Sequence, residues 1–411
     1  MIGLIVALDA EFEAGVVARL GEVPDLTVIA RPADEAELLA LAAAGEGQVV
    51  LLGRYFPGLD ADVVRGLKHT GVHILAMGQE ADFRGWDLPV AGLDLPVADL
   101  AARIRSSAAS VVAPPRPAQK PAEARRTGTI IAVWGTAGAP GRSTVAAALA
   151  QRLSLVGETV LCDADTVAAS QAVLFGVLDE APQIAALCRL MRSGRPAPEA
   201  VSAQLSSVAP GLRLITGMSR ADRWQEVGPG VLGEVLEELR AHAAVTVVDV
   251  SDRLDGEEFD PHSDRHGATR AVLAAADHVL VLGNADPLGL LRLVNLVTSD
   301  DFAQLTDRAT IVVNKVRESA VGPDPQSVVS ATLSRFVGVR QYCFLPAAGE
   351  DLDRALLAGR SIGEAAPHSA FVEAIDALLT EMPGLPRPAT RRRSLRGVRK
   401  GRGRRRRVAR L

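Results

Sequence analysis

Thr129-Ile130-Ile131-Ala132-Val133-Trp134-Gly135-Thr136-Ala137-Gly138-Ala139-Pro140-Gly141-Arg142-Ser143-Thr144 decides the fold. An apolar run reads as a buried strand, a Gly-rich turn follows, and Val145-Ala146-Ala147-Ala148-Leu149-Ala150 reads as the opening of a helix. Strand, Gly-rich loop and helix in that order are what a phosphate-binding loop requires. Loop N–H groups and the positive end of the helix dipole then meet at one point, where a triphosphate can sit. The pattern G-x-x-x-x-G-K-[ST] is kept at Gly141 and Ser143. It is departed from at Thr136, where a Gly is expected, and at Arg142, where a Lys is expected. Taken alone, such a turn is equally what a tight strand-to-helix connection needs, so the remainder of the chain has to decide.

Downstream, Thr159-Val160-Leu161-Cys162-Asp163-Ala164-Asp165 closes an apolar strand with two carboxylates, and Val245-Thr246-Val247-Val248-Asp249 closes another with one. Strand-terminal acids at the carboxyl edge of a parallel sheet are placed where open α/β folds bind ligands. A carboxylate at the end of such a strand can support Mg²⁺. His278–Gly283, Thr310–Lys315 and Gln341–Leu345 read as further strands. Thr269–Ala276, Pro287–Val297 and Ser369–Leu379 read as helices. His262 and His266 stand four apart in the polar stretch Asp252–His266, which has no accompanying ligand cluster and reads as a solvated loop.

Upstream, residues 1–106 alternate strands (Ile2–Leu8, Leu26–Arg31, Val49–Leu52, Val72–Met77) with helices (Glu11–Leu20, Ala33–Ala44, Asp60–Lys68, Val97–Ile104). This spacing predicts a parallel sheet with helices on both faces. Residues 107–128 are rich in Pro, Ala and charge without apolar periodicity and read as a linker. The chain is therefore expected to be α/β throughout, with units at 1–106 and 129–382 and a tail at 383–411. No run of eighteen uncharged apolar residues occurs, so no membrane-spanning helix is expected. The strand-like start without a basic leader predicts no signal peptide. Cys162, Cys188 and Cys343 lack metal-ligand spacing and suit reduced thiols in a cytoplasmic protein.

The segment from Gly135 to Ala146 resembles the deviant phosphate loop of the ParA/MinD superfamily, G-x-K-G-G-x-G-K-[ST]-T. Asp163-Ala164-Asp165, Asp249, Ala275–Val281, Val313-Asn314-Lys315 and Leu356–Ile362 fall in that superfamily's order. Within it the chain is most similar to the TadZ/CpaE branch serving Tad-type pilus assembly. Members of that branch join an N-terminal receiver-like domain to the ATPase domain. The resemblance implies a nucleotide-binding scaffold or localisation ATPase using ATP and Mg²⁺. It also implies a homodimer, pilus or secretion-machinery partners, and a cytoplasmic location that is peripheral at the inner membrane face. ParA-like chromosome or plasmid partitioning, or a MinD-like septum-site role, is the alternative.

By resemblance, residues 135–144 (Gly135, Thr136, Ala137, Gly138, Ala139, Pro140, Gly141, Arg142, Ser143, Thr144) hold the nucleotide. Ser143 and Asp249 serve Mg²⁺, Asp165 positions the attacking water, and Asn314 reads the adenine edge. The superfamily's signature Lys falls on Ala137 and the second Lys on Arg142. Arg is longer, planar and forked, not a conservative replacement at a phosphate site, so hydrolysis is expected to be weak or lost. In the N-terminal unit, Asp9 matches one acid of a receiver pocket. Gly53 and Arg54 stand where the phosphoacceptor Asp would follow the third strand, and no matching Lys is found near Val90–Leu95. This implies a pseudo-receiver that docks or dimerises.

Residues 387–411 hold thirteen Lys or Arg and no acid, leaving a formal charge of −17 on the rest of the chain. The tail has no aromatics for stacking and no apolar helical face. Anionic lipid headgroups, nucleic acid without sequence preference and the chain's own acidic body are the surfaces it suits; solubilisation is the simpler role. Sedimentation with anionic liposomes and with DNA at about 0.15 M salt, comparing the full chain with one ending at Pro386, tests this. Tail-dependent liposome binding is the expected result. Tail-dependent DNA binding would favour partitioning, and no change on truncation would remove the membrane assignment.

Overall fold

A computed structural model describes residues 1–59, 61–83, 86, 88–109, 128–177, 181–192, 196–255, 264–336 and 342–385. Most of the linker, the centre of the Asp252–His266 stretch with His262, Gln341, and the basic tail from Pro386 lie outside the described residues.

Two sheets organise the chain. The first has strands β1 (Ile2–Ala7), β2 (Leu26–Ala30), β3 (Val49–Gly53), β4 (His73–Met77) and β5 (Val90–Ala91). All four pairings are parallel and the order is β2-β1-β3-β4-β5. This is the doubly wound order shared by flavodoxin-like folds. Alternation along each strand supplies both faces. Leu4, Val6 and Leu8 join one core while Ile5 and Ala7 join the other; Val49 and Leu51 part from Val50 and Leu52 in the same way. The acid-poor end of β3 is crowded. A side chain on Gly53 would meet the Leu8 backbone at 3.3 Å, and the Arg54 guanidinium lies over the Trp86 ring.

The second sheet has β6 (Thr129–Gly135), β7 (Thr159–Asp163), β8 (Ser206–Ala209), β9 (Leu212–Ile215), β10 (Val245–Asp249), β11 (His278–Asn284), β12 (Ala309–Val316) and β13 (Tyr342–Pro346). Their order is β13-β12-β11-β6-β10-β7-β9-β8. Only β8, an edge strand, runs antiparallel to its neighbour. In β6, Ile130, Ala132 and Trp134 face one core while Ile131 and Val133 face the other. Burial on both faces explains why β6, β10 and β11 read as unbroken apolar runs. Strands β10 and β11 follow one another in sequence but flank β6 on opposite sides. The carboxyl end of β6 is therefore the point where connections diverge, and a crevice opens there.

The opposite end of β6 is fixed by a buried cation. Arg240, 3% exposed, donates to Gly128 O (2.7 Å), Ala275 O (2.9 Å) and Asp277 Oδ2 (2.6 Å). Asp277 Oδ2 also accepts from Ile130 N at 2.9 Å. Strand β6 is thus tied to the start of β11 through one guanidinium. The two sheets' units meet where Arg65, in the helix Ala61–Thr70, pairs with Glu234, in the helix Pro229–Leu239. Both side chains are partly exposed, and such a pair contributes about 0–1 kcal/mol.

Removing one partner of a buried ion pair leaves an uncompensated charge, which costs about 3–5 kcal/mol when the site is dry. Asp277 is partly solvated, so Arg240→Met is expected to cost about 3 kcal/mol. Urea unfolding would show this as a lower midpoint with an unchanged slope. An unchanged midpoint would show that Arg240 does not fix β6.

Candidate functional site at the carboxyl end of β6

The loop leaves β6 at Gly135 and enters the helix Arg142–Ser154. Three of its residues have left-handed φ: Gly138 (93°), Ala139 (53°) and Gly141 (94°). Gly141 is required twice over. Its φ disfavours any side chain, and a methyl group there would lie 2.5 Å from Asn314 Nδ2.

Every carbonyl of the loop accepts a hydrogen bond. Thr136 O accepts from Arg142 Nη1 (3.0 Å) and Ala137 O from Arg292 Nη1 (3.4 Å). Gly138 O accepts from Asn284 Nδ2 (3.2 Å) and Ala139 O from Lys315 Nζ (2.7 Å). Pro140 O accepts from Asn314 Nδ2 (2.7 Å), and Gly141 O from Val145 N (2.9 Å). The donors to residues 137–140 come from β11, β12 and the helix Pro287–Val297, and those to Thr136 O and Gly141 O from the helix that follows the loop. The carbonyls are thereby held by the protein, while the first amides of the following helix have no intrahelical acceptor. Successive amides in such a loop form an anion-binding nest.

Behind the loop lies a buried carboxylate cluster. Asp163 and Asp249 face each other in the β7–β10 register, and both side chains are buried. Asp163 Oδ2 accepts from Ser170 N (2.8 Å) and Gln171 N (2.9 Å), and its Oδ1 from Asp165 N (3.3 Å). Asp249 Oδ2 accepts from Gln171 Nε2 (2.8 Å), which also reaches Ser143 O (3.0 Å). Burial and the neighbouring Asp249 push Asp163 up to about 8, against the pull of the Gln171 and Ser170 amides. Burial likewise lifts Asp249 to about 6, opposed by the Ser143 hydroxyl and Gln171.

The structure brings Ser143, Asp249 and Asp165 together with Arg142 at one end of the loop. Asp165 Oδ1 caps the turn through Val167 N and Ala168 N (both 2.9 Å), and its Oδ2 lies 4.0 Å from Arg142 Nη2. Arg142 is itself occupied. Nε donates to Val250 O (3.1 Å), Nη1 to Thr136 O, and Nη2 to Asp252 Oδ1 (3.5 Å). The guanidinium bridges three acceptors, an arrangement a Lys ammonium at this position does not reproduce.

Asn314 lies behind the loop. It is 3% exposed, its Nδ2 holds Pro140 O, and its Oδ1 accepts from Lys315 N (2.8 Å). With a bond at each end of the amide, it braces the loop. Gln171, Asn284 and Arg292 were not singled out by the sequence, whereas Lys315 stands in Val313-Asn314-Lys315. Asn284 closes β11 as Asp249 closes β10, and Arg292 is the only charged residue in the apolar helix Pro287–Val297. Those were the available signals.

Residues fit for a polyphosphate and Mg²⁺ are judged by what the fold leaves unpaired. Asp249 Oδ1, Thr136 Oγ1, Gln171 Oε1 and Asn284 Oδ1 are buried without hydrogen-bond partners. Such atoms are costly to bury unless a ligand or water satisfies them. Among the described residues no group of three or more His, Cys, Asp or Glu could hold a metal by itself. Mg²⁺ commonly takes one or two protein ligands and completes its shell with phosphate oxygens and water, so Ser143 and Asp249 are a suitable protein share.

Comparison with solved structures gives the fold. A ParA family ATPase from Chlorobium tepidum TLS aligns with a TM-score of 0.51 and 17% identity, over 60% of this chain and 96% of that one. The fold is similar to that of a ParA family ATPase. The cell division ATPase MinD of Pyrococcus furiosus (TM-score 0.47, 17% identity) covers 61% of this chain and 98% of its own length. The septum site-determining protein MinD of Pyrococcus horikoshii OT3, complexed with Mg-ADP (TM-score 0.48, 14% identity), covers 61% and 96%. No protein-family model matches the sequence, and no curated protein does. Among the described residues no helix is long and apolar enough to cross a membrane.

The raised carboxylates set a pH dependence. Both stand above the ordinary value of 3.8, so between about pH 4 and pH 8 the folded chain holds more protons than the unfolded one. The cluster's contribution to stability is present at low pH within this window and falls as pH rises through it. Melting of the ligand-free chain at pH 5 and pH 8, compared with Asp163→Asn, should show a smaller decline in the variant. Parallel pH curves would sink this assignment.

Proposed function

We propose that the chain is a nucleotide-dependent positioning protein of the ParA/MinD kind, acting in Tad-type pilus assembly, with hydrolysis slow or lost. One observation carries the nucleotide reading. Six consecutive loop carbonyls are each held by a donor of the chain, beside buried carboxylate and hydroxyl oxygens left without partners. A loop with its acceptors engaged and its amides spare is built for an anion. Bound ATP would place its phosphates on residues 135–144, with Mg²⁺ between them and Ser143 and Asp249. The metal would supply charge neutralisation at the transferring phosphate. Asp165, whose Oδ2 faces Arg142, would orient water.

The expectation of slow hydrolysis rests on charge placement. Phosphoryl transfer depends on cations set against the transferring group. Arg142 is held by Val250 O, Thr136 O and Asp252, and Ala137 carries no charge. The pilus-assembly reading is supported by the sequence resemblance and by the N-terminal five-stranded unit. That unit has receiver-compatible strand order but Gly53 and Arg54 at the end of β3. It would serve as a docking or dimerising pseudo-receiver, with partners in the pilus and secretion machinery and the basic tail on the anionic inner leaflet. The charge of the tail is what keeps the partitioning reading alive.

Titration of a fluorescent ATP analogue with Mg²⁺ against the wild type and Gly141→Val, followed by phosphate release at saturating ATP, tests the proposal. The wild type is expected to bind, Gly141→Val not to bind, and turnover to be slow. Lys at both 137 and 142 should raise turnover. Equal, negligible binding by wild type and variant would identify an empty, purely structural loop. Fast wild-type turnover would show that Arg142 serves catalysis.

A further inference from the structure

Arg292 projects from the helix Pro287–Val297 onto the mouth of the loop. Among the described residues its one hydrogen bond is the long contact of 3.4 Å to Ala137 O, and the residue is exposed. The guanidinium lies so close over the loop that a methyl group on Gly138 would be 2.1 Å from Nη1. Gly138 is therefore the residue that makes room for it. Ala137, Gly138 and Ala139 are exposed and uncharged, so the loop presents no cation of its own along this edge.

The cations around the loop are held very differently. Arg142 is bound by three acceptors and its side chain is 14% exposed. Lys315 holds Ala139 O at 2.7 Å, and its backbone, at φ 58°, is pinned by Asn314 Oδ1. Arg292 alone of the three is exposed and, among the described residues, held by a single long bond. A guanidinium has five N–H donors in a fork that matches phosphate oxygens. An anion at the loop mouth would offer it far more than one carbonyl does.

Position along the loop says which phosphate it would meet. Ala137 follows Thr136, whose carbonyl holds Arg142 next to Asp165 and Asp252. Thr144 lies at the far end, in the first turn of the helix Arg142–Ser154. In a phosphate loop the residue after the last Gly, here Arg142, stands at the terminal end of the phosphates, and its hold on Thr136 O puts Ala137 and Gly138 on that side. Resting on the nucleotide reading above, we propose that Arg292 recognises the terminal phosphate of a bound nucleoside triphosphate. It would exchange the Ala137 carbonyl for that phosphate and so distinguish triphosphate from diphosphate. Its role is binding and discrimination, supplied from a helix more than a hundred residues beyond the loop.

Calorimetric titration of the full chain with Mg-ATP and with Mg-ADP, for wild type, Arg292→Gln and Arg292→Lys, tests this. Loss of a charge-assisted bond to phosphate should weaken ATP binding about tenfold or more in Arg292→Gln. ADP binding should change less than about threefold, and Arg292→Lys should recover part of the loss. The melting temperature of Arg292→Gln should stay within about 2 °C of wild type, as for an exposed substitution. Equal weakening of ATP and ADP, or no weakening, would overturn the proposal and leave Arg292 as a support of the loop backbone. Should Arg292→Gln melt early, the ATP-to-ADP affinity ratio of a stable Arg292→Lys variant decides: a ratio lowered from wild type supports the proposal, and a ratio unchanged from wild type overturns it. A wild type that binds neither nucleotide overturns the nucleotide reading itself, an outcome distinct from a wild type that binds both but ignores the variant.

Discussion

Six consecutive carbonyls between Thr136 and Gly141 must each find a donor, or the loop between β6 and its helix collapses onto them. A tight turn with three left-handed residues cannot satisfy its own acceptors through regular secondary structure. Arg142 and Val145 N hold the first and last, and the chain holds the four between with side chains that arrive much later in sequence: Asn284 from β11, Asn314 and Lys315 from β12, and Arg292 from the helix between them. The strand order follows from the same need. Only a sheet that places β11 directly beside β6, with β12 next, brings those donors to the loop's outer side. The buried Arg240–Asp277 pair at the other end of β6 fixes the register of that same β6–β11 contact.

The second consequence is electrostatic. With the carbonyls turned into hydrogen bonds, the partial positive charges of the remaining amides dominate one side of the loop, and three cations stand around it. On the other side, Asp163, Asp165 and Asp249 are buried close together, and burial holds the protons on Asp163 and Asp249 longer than usual. Arg142 lies between the two regions. Its length lets one guanidinium join Thr136 O, Val250 O and Asp252, tying the loop to the ends of β6 and β10. The substitution that looks like a loss beside the usual lysine is, in this molecule, a structural cross-link.

Strands buried on both faces were legible because their apolar runs end abruptly. Val245–Asp249 and Pro287–Val297 appear in the structure with the bounds their sequence suggests. The second is marked by Asp286, whose side chain caps Gly289 N ahead of a proline. Edge strand β8, Ser206–Ala209, carries no apolar signal, and β5 is two residues long; neither was legible in full. The helix Gln183–Arg192 buries Ile184, Leu187, Cys188 and Met191 at helical spacing, so its sequence does carry the signal of an amphipathic helix. The loop, Asp163, Asp165 and Asp249 were readable because each closes a strand. Arg292, Asn284 and Lys315 act across separations of 155, 146 and 176 residues. No local pattern encodes a contact of that span, and the bond from Asn314 to Pro140 O lies at the same remove.

The distance between loop and collar has a meaning during synthesis. The ribosome releases residues 135–144 long before residues 284–315. At roughly 5–20 residues per second the interval is about ten to thirty seconds. Throughout it the carbonyls of residues 137–140 lack the partners that hold them, so the nascent chain has the motif without its collar. A chain truncated before β12 would carry every residue of the loop and still be unable to shape it. Occupancy of the loop is in this sense a report that β12 has been made and docked.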